Sequence, residues 1–308
     1  MRKLFLCWML LGLSPAAMAG QDPIQVVATT QDLASLARTI GGARVQVEAL
    51  LKPGQDPHRL IAKASHPLRL AKADVLLLQG LDLEHAFLPA ILERSRNKAV
   101  KPGGHGYMNV GAYIRPMEVP QHIDRSQAVD LHPRGNPHYH LDPENGRIMA
   151  KAVAQVFIRV DPKHEAEYRS RWQAWDEEAQ KRIAEWERLM KPHRGCKILT
   201  YHRSWSYLAA RYDLTVAGEI EPKPGLAPTP NHLAKLSRLV RQEQIPLLLM
   251  EPWYRESDVA GLVRATGISV SRVDSSCGGT EKTRDYLDFL DHLIRSLAGS
   301  LAKEPEKV

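Results

Sequence analysis

Cysteine is scarce in this chain, with three among 308 residues. Cys7 falls in an N-terminal apolar stretch, which leaves Cys196 and Cys277 and room for at most one disulfide, so cross-links cannot be the basis of the fold. Long apolar runs are missing as well. After residue 19 no segment approaches the roughly twenty uncharged apolar residues that a membrane helix needs, which excludes a membrane-spanning body. The formal charge of +7 is spread out, with no Lys/Arg run and no aromatic RNA-binding motif, so solvated basic faces explain it better than nucleic acid does. HExxH, GxSxG, a Walker A loop and GxGxxG are all absent, and His164-Glu165 has no second histidine at the required spacing. The common hydrolase, nucleotide and dinucleotide signatures are thereby set aside.

What is present begins with a leader. MRKLFLCWMLLGLSPAAMA carries Arg2 and Lys3, an apolar stretch over residues 4–13, and Ala17-Met18-Ala19 in the small-x-small form of a signal-peptidase site. Cleavage is expected after Ala19. Cys7 lies too early for a lipid-attachment site, so a freely diffusing periplasmic protein is expected rather than a lipoprotein. The remainder is long enough for two domains of ordinary size. In an oxidising compartment Cys196 and Cys277 are free to pair, but Cys196 opens a strand and Cys277 follows the end of another. In parallel strands those points lie at opposite sheet edges, which argues against the bridge.

From residue 24 the chain alternates short β-rich runs with helical patterns: IQVVAT, DLASLARTIGG, VQVEALL, HPLRLAKA, DVLLLQG and LEHAFLPAILERS. Uniformly apolar strands such as VLLL between helices indicate a parallel sheet covered on both faces. Residues 101–140 break the rhythm with Gly, Pro and His and read as one long loop. A helix over about 145–160 follows, then Asp161-Pro162 as an N-cap and first helical residue. Tyr168, Trp172, Trp175, Ala179, Ile183, Trp186 and Met190 form a single apolar stripe at helical spacing, so residues 162–190 predict a helix of about 43 Å at 1.5 Å per residue. Its place between two α/β blocks suits a brace lying across both. Past Pro192 the alternation resumes through CKILTYH, SWSYLAARY, LTVAGEI, TPNHLAKLSRLVRQEQ, PLLLMEP, ESDVAGLVRATG, ISVSRVD and a terminal helix. The expected class is α/β, two lobes of mostly parallel sheet flanked by helices and joined by one long helix. Residues 1–19 are the leader, 20–160 the N-terminal lobe, 161–191 the linking helix and 192–308 the C-terminal lobe.

Ligands of open parallel sheets bind outside the carboxyl ends of the strands. His202 follows KILTY directly and Asp274 follows SVSRV directly, which puts both on one rim of the second lobe. His58 follows VQVEALL across a Pro/Gly loop, and His138 ends the long irregular loop, so the first lobe can supply two groups across the crevice. With 13 histidines in the chain, one loop histidine means little, and an aspartate after a strand is commonly a helix cap. Three imidazoles and one carboxylate at facing strand ends are a different matter, because together they complete a tetrahedral shell for a borderline-soft divalent cation.

The segments GQDPHRL, NPHYHLDPENG, YHRSWSYLAARYDL and MEPWYRESDVAGLVRATG resemble, in order and over nearly the whole chain after the leader, the marker segments of the cluster A-I solute-binding proteins of zinc and manganese ABC transporters. The resemblance implies His58, His138, His202 and Asp274 as metal ligands, the same set that placement selects. It implies no catalysis. Capture in the periplasm, docking on an inner-membrane ABC permease and release for import would follow, with a small metallochaperone compatible as a donor and a monomer as the expected state. Where the family has tryptophan, this chain has His140, expected beside a ligating imidazole. Where the family reads DPLG, it has Asp274-Ser275-Ser276-Cys277, which makes Cys277 either a soft ligand or an idle thiol. The family's histidine-dense loop is reduced to His105, His122 and His132, and His132 reads as a loop residue. Glu251, ending PLLLM, either orients a ligating imidazole or caps a helix.

Three nitrogens and one oxygen favour zinc. A bidentate Asp274 would admit manganese, the alternative. Binding needs neutral imidazoles, so affinity is expected to fall as pH drops through about 6.5. An exported metallohydrolase, with Glu251 as base beside an open coordination position, is the rival class.

Overall fold

The computed structural model describes residues 22–122 and 132–302; the leader and its cleavage site lie outside them. The first half builds a parallel sheet from β1 (Ile24–Ala28), β2 (Val45–Ala49), β3 (Val75–Leu78) and β4 (Tyr107–Asn109), in the order β2-β1-β3-β4. The second half repeats the pattern with β5 (Lys197–Thr200), β6 (Thr215–Glu219), β7 (Leu247–Met250) and β8 (Ser269–Arg272), in the order β6-β5-β7-β8. Every pairing is parallel. The carboxyl ends of all strands in a sheet therefore share one edge, and that edge carries the loops of interest.

Helices α1 (Gln31–Gly41), α2 (Ser65–Lys72), α3 (Leu88–Ser95) and α4 (Pro143–Val160) cover the first sheet. The second carries α6 (Ser206–Arg211), α7 (Pro230–Glu243), α8 (Ala260–Thr266) and α9 (Tyr286–Leu301). Local chemistry fixes the starts. Thr30 accepts from the Leu33 N–H at the head of α1, Asp142 from Glu144 ahead of Pro143 at α4, and Thr229 from His232 ahead of Pro230 at α7. The Asp161-Pro162 signal works otherwise. Asp161 makes no backbone cap and instead accepts from the Tyr168 hydroxyl at 2.9 Å and from His164 Nδ1 at 2.6 Å.

Between the lobes runs α5 (Glu165–Met190), 26 residues and so about 39 Å long at 1.5 Å per residue. Tyr168, Trp175, Ala179, Ile183, Trp186 and Met190 are buried along one face, while Trp172 is only partly covered, under Lys151 Nζ at 6.0 Å from its ring centre. These side chains belong to one apolar cluster that also holds Val26 and Val75 of the first sheet, Leu247 and Leu249 of the second, and most of α9. Strand alternation divides the labour. Val27, Leu76 and Leu78 face a separate outer cluster with α2 and α3, and Leu199, Leu248 and Met250 face another with α7 and α8. Trp186 Nε1 donates to Asp291 at 2.9 Å and Arg182 pairs with Asp288, which ties the long helix to α9.

The 101–140 segment is not loop throughout. It contributes edge strand β4 against β3, followed by the 3-10 turns Val110–Tyr113 and Tyr139–Leu141. Three residues paired on one side are too few to show a period in the sequence. Cys196 and Cys277 are free thiols.

Candidate metal centre

Three loops bring His58, His138 and His202 together, with one ring nitrogen of each within 4.8 Å of the others. His58 sits in the 3-10 turn Pro57–Arg59 after β2, and the Asp56 carboxylate accepts from its backbone N–H at 2.9 Å. His138 opens the turn Tyr139–Leu141 and donates its N–H to Asn136 Oδ1 at 2.9 Å. Asn136 in turn donates from Nδ2 to the Arg203 carbonyl at 2.7 Å, so the His138 loop is tied across the crevice to the His202 loop. His202 follows β5, and its Nδ1 donates to Glu221 at 2.7 Å. Both partners are buried.

His58 Nε2 and His138 Nε2 stand 3.1 Å apart. Nitrogens bonded to zinc at about 2.0–2.1 Å with tetrahedral angles are separated by about 3.3 Å, so this spacing is already that of a coordination edge. Ring centres lie 5.1 Å apart for His58 and His138, 5.1 Å for His58 and His202, and 5.5 Å for His138 and His202. Burial, reinforced by the neighbouring imidazoles, holds His58 and His138 well below the ordinary histidine value. Both are therefore neutral at neutral pH and present lone pairs. A cavity of about 310 Å³, lined by His132, His138, His202 and Arg203 among others, opens onto the group.

Asp274 is placed differently. It follows β8 half-buried, and its carboxylate lies against Gly279, where a Cβ would come within 2.8 Å of Oδ2. It is not part of the group of mutually close ligand atoms found among the described residues. Burial raises its pKa, partly offset by His292 of α9.

Four neighbours define the surroundings of this group. The carboxylate on the His202 imidazole is Glu221, whereas the buried Glu251 accepts from Ser204 Oγ at 2.5 Å, and burial raises its pKa to about 7. Parallel register could have found Glu221, because β6 pairs with β5 and the Glu221 N–H continues the ladder to the Tyr201 carbonyl at 3.0 Å, beside His202. His140 lies in a 3-10 turn with its ring centre 6.1 Å from that of His138, beside that imidazole as expected. Gln79 Nε2 donates to its Nδ1 at 3.1 Å and its Nε2 donates to the Ser275 carbonyl at 2.8 Å, which makes it a bridge between lobes. Cys277 is buried, its N–H on Asp32 Oδ1 at 2.9 Å and its thiol pKa pushed up by burial, so it faces the α1 helix head and stays outside the histidine group. His132, read as a loop residue, has its ring 5.1 Å from that of His58.

Residues 26–300 match the family model described as zinc-uptake complex component A, periplasmic. The chain belongs to this family. Zinc-uptake component A relatives include the high-affinity zinc uptake system protein ZnuA of Brucella abortus, 27% identical over 164 residues that cover 53% of this chain and 48% of that protein. The manganese ABC transporter substrate-binding lipoprotein PsaA of Streptococcus pneumoniae is 24% identical over 293 residues, covering 92% and 91% of the two chains. A crystal structure of ZnuA shares the fold, with a TM-score of 0.76 and 21% identity over 91% of this chain and 100% of that one. Within the component A fold, the three histidines of this chain sit on the loops that face one another between the lobes.

Proposed function

We propose that this chain is the extracytoplasmic binding component of a metal-ion ABC transporter, taking up zinc in the crevice between its lobes and handing it to a membrane permease. Membership of the family supports the uptake role. The observation that carries the site is the convergence of three imidazole nitrogens from residues far apart in sequence, two of them neutral by burial and one oriented by Glu221. Nitrogen donors favour zinc over manganese, which prefers more oxygen and higher coordination. The ion is cargo, so a site that holds it on three protein nitrogens and releases it on docking suits the role better than hydrolysis does.

His58, His138 and His202 hold the ion in this reading, and Asp274 is the fourth donor, reaching it when the Ser275–Gly279 turn shifts. The protein acts as a monomer in the periplasm after removal of residues 1–19. Metal content and competition titration of the mature protein test the site, alone and with each of the four residues changed to alanine. Loss of at least a hundredfold in zinc affinity is expected for each histidine and about tenfold for Asp274→Ala. Unchanged affinity in the three histidine variants would end the proposal. Tighter manganese than zinc would transfer it to the other ion.

A further inference from the structure

The turn that follows Asp274 belongs by sequence to the second lobe, yet the bonds that hold it come from the first. Asp32, the second residue of α1, accepts from Ser276 Oγ at 2.8 Å through one oxygen and from the Cys277 N–H at 2.9 Å through the other. His140 adds a third bond, its Nε2 donating to the Ser275 carbonyl at 2.8 Å. The tautomer of that ring is set from behind. Gln79 Nε2 directs one N–H at the Pro137 carbonyl at 2.9 Å and the other at His140 Nδ1 at 3.1 Å, which leaves the ring proton on Nε2. Gln79 is itself fixed, its backbone N–H donating to Glu84 at 2.7 Å and its carbonyl accepting from the Tyr139 hydroxyl at 2.6 Å. Asp32, His140, Ser275 and Cys277 are all buried, which shields the three bonds from competing water. At its far end the turn is closed by Gly278, whose N–H donates to the Thr283 carbonyl.

With the turn held in this way, the Asp274 carboxylate rests against Gly279 and stays outside the histidine group. We propose that Asp32 and His140 are positioning residues that clasp the Ser275–Cys277 turn and hold Asp274 off the ion, so that the fourth donor joins only when the clasp opens. The inference rests on the uptake reading above, in which Asp274 completes the shell. A ligand that needs a fractionally populated form binds more weakly by that fraction, so a firm clasp lowers the affinity of the loaded state. On reclosing it draws Asp274 away and leaves the ion on three nitrogens, a more weakly held form from which a permease can take it. The turn carries Asp274 but none of the three histidines, so its movement changes the number of donors while the imidazoles stay in place.

Zn²⁺ affinity of the full mature chain, read by chelator competition, tests this in S276A and H140F, each of which removes one bond of the clasp, and in the same substitutions combined with D274A. S276A deletes a single hydroxyl and is the milder change, and melting of the metal-free variants checks that all are folded. Loss of one hydrogen bond that stabilises only the metal-free arrangement should raise Zn²⁺ affinity by about threefold to tenfold and slow release into excess EDTA by a similar factor. In the D274A background both gains should vanish, because the clasp acts through that carboxylate alone, whereas a merely structural effect would carry over unchanged. Two results overturn the proposal: a Zn²⁺ affinity that is unchanged or lower in both S276A and H140F, or a gain that persists at full size without Asp274. The uptake reading fails separately, if the wild type binds no Zn²⁺ tightly.

Discussion

Removing the Glu221 carboxylate is the sharpest probe of how the histidine site is tuned. Its oxygen accepts from His202 Nδ1 at 2.7 Å with both side chains almost wholly buried, so the bond is short and shielded from competing water. A hydrogen bond to a charged group in such surroundings contributes about 1.5–3 kcal/mol. At 1.4 kcal/mol per decade that is roughly 10- to 150-fold, in line with the 10- to 100-fold that carboxylates behind ligating histidines usually contribute to metal affinity. Glu221→Gln keeps an acceptor but loses the charge and should weaken zinc about tenfold. Glu221→Ala removes both and should approach a hundredfold. The same alanine removes the carboxylate acceptor from a buried ring and from the Gly225 N–H, which now donates to Glu221 at 3.1 Å, so the metal-free protein should lose about 1–3 kcal/mol in urea titration. Chelator competition reads the affinities. Both variants staying within threefold of wild type would refute the role assigned to Glu221.

Proton competition should set in lower than the ordinary histidine range near 6.5, because burial holds His58 and His138 well below it; a zinc affinity already lost at about pH 6.5 would contradict that burial. Metal-free stability behaves differently: between pH 6.5 and about 4 the unfolded chain takes up protons that folded His58, His138 and His132, the last held to about 4, refuse. Stability is thus full above 6.5 and declines on acidification, by on the order of 1.4 kcal/mol per pH unit for each histidine, and urea midpoints that stay flat from pH 7 to 5 would rule it out. Trp186→Ala should destabilise by about 3–5 kcal/mol, since the ring is fully buried and its Nε1 is bonded to Asp291; a change under 1 kcal/mol in thermal or urea melts would show that the long helix is not the brace it looks.

Much of this was legible from the residues because the physics was local. Seven strands announce themselves as short β-rich runs, the long helix by its tryptophan stripe, and His58 and His202 by following strands at the carboxyl edges of their two sheets. What escaped was set by pairing across the chain. β4 has three residues and a neighbour on one side only, so its signal disappears among glycines. Glu221 becomes visible only once β6 is laid beside β5. His132 reaches His58 through the path of a loop that no period describes, and the bond from His140 to the Ser275 carbonyl joins residues 135 positions apart. Asp274 is at the expected strand end, yet its carboxylate lies against Gly279 and outside the histidine group.

The apolar cluster shared by both sheets and the long helix has a thermodynamic corollary. Neither half owns a complete interior, so heat should dissolve them together, in one endotherm instead of two. An ion clasped by residues from both halves then stabilises the entire cooperative unit. Cargo release, for its part, cannot come from letting one half melt and must be found in the loops.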